Sequence, residues 1–140
     1  MSDLTQLYQE IILDHNKHPR NYGPLEEYSG KASVNNPLCG DEVDVFWKLE
    51  DGMFTRIAFT SRGCAISRAS ASMMTSALQG RSRDYAERLF ERLKNALTEE
   101  ENEEPAEEEF GELMSLMGVR QYPSRIRCAT LAWHALLDKI

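Results

Sequence analysis

The sequence predicts an α+β fold, and three observations carry that expectation. Helix-spaced apolar residues open the chain, alternating apolar and polar residues fill the middle, and helix spacing returns after Gly63. A chain of 140 residues fits one domain, 1–140, with its own core. No internal repeat and no second domain is legible.

The elements follow in order. Leu4, Leu7, Tyr8, Ile11 and Ile12 predict an amphipathic helix from Ser2 to about Asp14, with Ser2 as N-cap. Pro19, Gly23 and Pro24 break the next stretch into a loop. His15 and His18, at its edge, read as surface or capping residues. Lys31 to Asn35 is a short strand. Val43, Val45, Trp47 and Leu49 alternate with Asp44, Phe46 and Lys48, the period of a strand. Asp51-Gly52 fits a two-residue hairpin turn, and Thr55, Ile57 and Phe59 form one face of the returning strand. The result is a small antiparallel meander with one buried face. The small residues from Ala65 to Met74 suit a closely packed helix ending near Gly80. Ser82 caps a further helix with Tyr85, Leu89, Leu93 and Leu97 on its face. A shorter segment holds Phe110, Leu113, Met114, Leu116 and Met117, whose methionines read as core filler. Pro123-Ser124 opens a last helix with Ile126, Ala129, Trp133, Leu136 and Ile140 near one face.

Charge and composition narrow the function classes. The net charge is −7, but eight glutamates between 99 and 109 account for it. Of the 23 acidic residues, the fifteen outside that run balance 16 basic ones. The run reads as a solvated loop or a docking surface for a basic partner. No basic face is present for nucleic acid. No stretch reaches the roughly 20 apolar residues of a membrane span, and the N-terminus does not read as a secretory signal. Three cysteines do not make a disulfide framework, so a reducing cytoplasm is the expected setting.

Those three cysteines, with one aspartate, carry the chemistry. Cys39 and Asp41 flank Gly40, Cys64 follows Arg62-Gly63, and Cys128 follows Arg125-Ile126-Arg127. Three thiolates and a carboxylate are a complete tetrahedral donor set for an ion such as zinc. In an extended turn residues i and i+2 point the same way, which puts Cys39 and Asp41 on one side. Cys64 stands at a strand-to-helix junction and Cys128 is expected in the first turn of the last helix. The positive end of a helix favours thiolate over thiol. From 39 to 64 and from 64 to 128 the separations are 25 and 64 residues, unlike the Cys-x-x-Cys pairs of zinc ribbons. A site gathered from distant loops suits working metal or sulfur chemistry better than a folding staple. His134 lies six residues past Cys128, about 240° around a helix. The two therefore make no nucleophile pair, and His134 reads as a surface residue.

The motifs Asp14-His15, His18-Pro19-Arg20-Asn21-Tyr22-Gly23, Asn36-Pro37-Leu38-Cys39-Gly40-Asp41 and Gly63-Cys64-Ala65-Ile66-Ser67-Arg68-Ala69-Ser70-Ala71-Ser72 together resemble the iron–sulfur assembly proteins of the IscU/NifU N-terminal type. The likeness covers nearly the whole chain. In IscU proteins a histidine directly precedes the third cysteine. Here that place holds Arg127, whose guanidinium cannot ligate. Extra sequence around Glu107 to Pro123 also separates the second and third cysteines. Both features resemble the SufU branch. The resemblance implies a three-stranded antiparallel sheet with helices packed on one face and the cysteines gathered at one end. It implies Zn2+ held by Cys39, Asp41, Cys64 and Cys128. It further implies a zinc-dependent sulfurtransferase in which Cys39 takes persulfide sulfur from a PLP-dependent cysteine desulfurase. Arg125 or Arg127 would steady the persulfide, and the sulfur would pass to downstream cluster-assembly or acceptor proteins. The alternative is a non-enzymatic scaffold on which the same residues hold iron or a [2Fe–2S] cluster. A structural zinc module is a third reading; it predicts unfolding on chelation and no sulfur transfer.

Overall fold

The computed structural model describes residues 2–36, 40–98, 110–120 and 122–139. Helix α1 spans Ser2–Lys17; strands β1, β2 and β3 span Gly30–Asn36, Asp41–Glu50 and Met53–Arg62; helices α2 and α3 span Ala65–Leu78 and Arg83–Thr98. A 3-10 helix, Gly111–Val119, precedes the last helix, α4, Pro123–Leu137. The strands form one antiparallel sheet in the order β1-β2-β3, with the helices packed on one face. That is the α+β arrangement expected above.

Alternation builds the sheet's inner face. Ala32, Val43, Val45, Trp47, Ile57 and Phe59 are buried against α2 and α4. Asp51 and Gly52 turn the β2–β3 hairpin with φ of 53° and 78°, the paired positive angles of a type I′ turn. One expectation fails beside it. Thr55 is exposed, and Phe54 takes the inner position. Leu49 pairs with Phe54 and Lys48 with Arg56, so Thr55 is the extra residue of a β-bulge, and its hydroxyl donates to Lys48 C=O at 3.2 Å. On the outer face Phe46 is covered by Tyr28, whose ring meets it edge-on.

Helix α2 is the central element. It is buried along most of its length, because Ala69, Ala71, Ser70 and Ser72 let neighbours approach from several sides. Helix α3 opens at Ser82, whose Oγ accepts from Tyr85 N–H at 3.0 Å. The shorter apolar segment is a 3-10 helix. Phe110, Leu113, Leu116 and Val119 recur every third residue and are all buried, matching three residues per turn rather than 3.6.

His15 corrects a second expectation. It is fully buried, not at the surface. Its Nε2 donates to Glu112 Oε1 at 2.7 Å, and its Nδ1 lies 2.7 Å from Ser72 Oγ. One imidazole thus joins α1, α2 and the 3-10 helix. Next to it Arg20 donates to Asp14 at 2.6 Å, a hydrogen bond that holds the Asp14 carboxyl below its ordinary range. Among the described residues no helix is long and apolar enough to cross a membrane.

His15→Ala opens a cavity and strips partners from Ser72 and Glu112. It is expected to lower stability by about 2–4 kcal/mol, read as a shift in the urea midpoint. Glu112→Gln keeps an acceptor and is expected to cost less than about 1 kcal/mol.

Candidate metal and sulfur site

Three elements converge at one end of the sheet. Asp41 is the first residue of β2 and is fully buried. Cys64 follows β3 and is the N-cap of α2, in extended backbone, with Sγ accepting from Ser67 N–H at 3.4 Å. Cys128 is a buried residue of α4. Pro123 is the first residue of α4, so Cys128 is the sixth, in the second turn rather than the first. The helix-end argument therefore applies to Cys64 and not to Cys128.

Asp41 organises the junction. Its Oδ1 accepts from Cys64 N–H at 2.7 Å, and its Oδ2 lies 3.4 Å from Cys64 Sγ, positioned to accept from the thiol. Gly63 makes this approach possible. Its φ is 136°, and a β-carbon there would collide with Asp41 Oδ1 and stand 2.7 Å from the Asp41 Cα. Helix α4 is keyed to α2 by Ser70. That hydroxyl donates to Ala129 C=O at 2.5 Å and accepts from Trp133 Nε1–H at 3.2 Å. Ala129 follows Cys128, so this lock fixes where the Cys128 thiol stands relative to Cys64.

Ligand atoms of Asp41, Cys64 and Cys128 all lie within 4.8 Å of one another. Zinc bonds of about 2.3 Å to sulfur and about 2.1 Å to oxygen give tetrahedral edges of roughly 3.6–3.8 Å. The 3.4 Å Cys64–Asp41 separation already matches one edge. Two thiols and a carboxylate at this spacing fit three corners of a zinc or iron–sulfur site. Cys39 lies outside the described residues, as does the Glu-rich run at 99–109. The residues bracketing 37–39 are joined, Gly40 N–H donating to Asn36 C=O at 2.8 Å. Arg125 and Arg127 are exposed on α4. His134 is exposed too, edge-on to Phe90, as a surface residue should be. An open recess of about 420 Å³ on the outer sheet face, lined by Tyr22, Glu42, Asp44, Thr60, Ser61 and Arg62, shares none of the three ligands.

Sequence reasoning missed Gly63, Ser67 and Ser70. A signal for the serines was present: Cys64, Ser67 and Ser70 step by three, one face of a helix that begins at Cys64.

Comparison with known proteins agrees with this architecture. Residues 7–129 match the family described as NifU-like N terminal domain. The chain is 40% identical over 140 residues to a Streptococcus pyogenes protein named iron-sulfur cluster assembly scaffold protein IscU, covering 100% of this chain and 86% of that one. It is 38% identical over 135 residues to the Bacillus subtilis zinc-dependent sulfurtransferase SufU, covering 96% and 90%. The crystal structure of the N-terminal part of a nitrogen-fixing NifU-like protein from Brucella abortus superposes with a TM-score of 0.84 at 27% identity, covering 96% and 92%.

If the three ligands hold a metal, Gly63→Ala is expected to weaken Zn2+ affinity about 10–100-fold in a competition titration, since the carboxylate must leave its place. Far-ultraviolet circular dichroism should stay unchanged.

Proposed function

The chain belongs to the NifU-like N-terminal domain family of IscU- and SufU-type iron–sulfur cluster assembly proteins, and we propose that within it the protein is a sulfur acceptor for a PLP-dependent cysteine desulfurase. The observation that carries this reading is the donor set. Asp41, Cys64 and Cys128 stand together, and the residue before Cys128 is Arg127 rather than a histidine. Cys39 is the fourth donor of the proposed site. When bound there, zinc would keep the coordinating sulfurs as thiolates at neutral pH.

The residues divide by how they are held. Asp41, Cys64 and Cys128 are anchored in β2, at the start of α2 and in α4. Cys39 lies between β1 and β2 in the sequence, and is the sulfur we assign to transfer. Its thiolate attacks the outer sulfur of the desulfurase persulfide. A new S–S bond forms to Cys39, the S–S bond of the donor persulfide breaks, and the desulfurase thiolate leaves with the electron pair. The transferred sulfur keeps its oxidation level. Arg125 and Arg127, exposed on the helix that carries Cys128, offer charge to the anionic persulfide. The sulfur then passes to downstream cluster-assembly or acceptor proteins. Thiol chemistry of this kind suits a reducing cytoplasm.

A scaffold reading is favoured by the name of the Streptococcus pyogenes relative. There the same four residues receive iron and sulfide as cargo and hold a [2Fe–2S] cluster.

An anaerobic desulfurase assay with zinc-loaded protein, free cysteine and no iron separates the two. The acceptor reading expects faster turnover and one added sulfur on the Cys39 peptide. Cys39→Ala should cut acceptance by roughly two orders of magnitude; normal acceptance by that variant sinks the assignment. The scaffold reading expects no stimulation, and a visible-absorbing cluster once iron is supplied.

A further inference from the structure

Ser67 is 2% exposed and its hydroxyl has no hydrogen-bond partner among the described residues. Buried hydroxyls rarely stay unpaired, and the neighbouring ones are satisfied. Ser70 pairs with Ala129 and Trp133, and Ser72 with His15 and Arg20 N–H. Thr75, Thr98 and Thr130 donate to carbonyls three or four residues back. Ser67 has neither outlet. The carbonyl four residues back belongs to Gly63, before the helix begins, and Ser67 Oγ makes no bond to the Cys64 carbonyl three residues back. An N3 side chain commonly reaches back to the N-cap amide. Here Asp41 holds the Cys64 amide instead.

What remains beside Ser67 is sulfur. Its own N–H already donates to Cys64 Sγ, and with Ser70 it lies on the face of α2 that meets α4. A sulfur that ligates a metal is a thiolate and accepts hydrogen bonds strongly. We propose that Ser67 is a positioning residue of the loaded site: its hydroxyl donates to the Cys64 sulfur once that sulfur is a ligand. Cys64 then carries two donors from one residue, the amide and the hydroxyl of Ser67. Donation withdraws charge from a thiolate and lowers its nucleophilicity. Resting on the reading of Cys39 as the transferring sulfur, this assigns Cys64 as the ligand kept unreactive, so that attack falls to Cys39.

The test uses Ser67→Ala loaded with Co2+, and with Zn2+ for trapping by iodoacetamide and peptide mapping. The sulfur-to-cobalt charge-transfer band is expected to move to lower energy. Alkylation of Cys64 is expected to rise about tenfold relative to Cys39, the rate equivalent of one charge-assisted hydrogen bond. Ser67→Thr, which keeps the hydroxyl, should restore both, and Ser76→Ala, exposed on the same helix, should change neither. An unshifted band with unchanged Cys64 alkylation overturns the proposal, as does a rise confined to Cys128. No desulfurase is present, so a negative result here leaves the sulfur-acceptor reading standing, and failure of that reading leaves the band shift intact.

Discussion

The bond between the Asp41 carboxylate and the Cys64 amide is the contact on which the site depends. It joins the first residue of β2 to the cap of α2, so the sheet and the central helix share one corner. A buried carboxylate is costly unless it is paired or hydrogen-bonded. At this corner the cost is met by an amide that the start of a helix leaves without an intrahelical partner. Gly63 is the geometric condition, because any side chain there would displace Asp41. The candidate ligand pair is therefore a product of the backbone path before it is a product of chemistry.

The remaining packing holds that corner still. Helix α2 is buried along most of its length, yet it carries hydroxyls at Ser70, Ser72 and Thr75, each matched to a partner on another element or one turn back. Such matched polar contacts fix register in a way that alanine surfaces cannot, since a slide of one residue would orphan several of them. The stacked rings of Phe90 and Trp133, with centroids 5.6 Å apart, tie α3 to α4 and support the Ser70 lock from behind. The precision of the Cys64–Cys128 spacing comes from this helix pair.

Much of this was legible in the sequence where a local rule governs. The Asp51-Gly52 turn, the strand-to-helix junction at Gly63-Cys64, the Gly80 stop and the Pro123 start all rest on one or two residues with conformational preferences of their own. The misses share a different cause. Thr55 was placed on the inner face because alternation assumes an unbroken ladder, and a bulge resets the count. The 110–119 segment was read only as a shorter apolar stretch, because periods of 3 and 3.6 diverge little over nine residues. Cys128 was placed in the first turn although the helix was opened at Pro123-Ser124; counted from Pro123 it is the sixth residue, past a first turn of about 3.6 residues. His15 read as a surface residue because its burial is created by Ser72 and Glu112, 57 and 97 residues away. At the site, the Cys64 side of the ligand group was visible as a motif, while the glycine and serines that position it became visible only once three elements met.

That His15 contact has a consequence for how the chain is made. Helix α1 is synthesised first, but one half of its polar anchor is 97 residues downstream. At ordinary elongation rates of about 5–20 residues per second, Glu112 arrives some 5–20 s after His15 has left the peptidyl-transferase centre. Through that interval α1 is an amphipathic helix whose apolar residues, Tyr8, Ile11 and Ile12, lack the completed surface they pack on. The nascent chain thus leaves this apolar face uncovered until the 3-10 segment has been made. The step that seals it is a late, long-range closure rather than a local one.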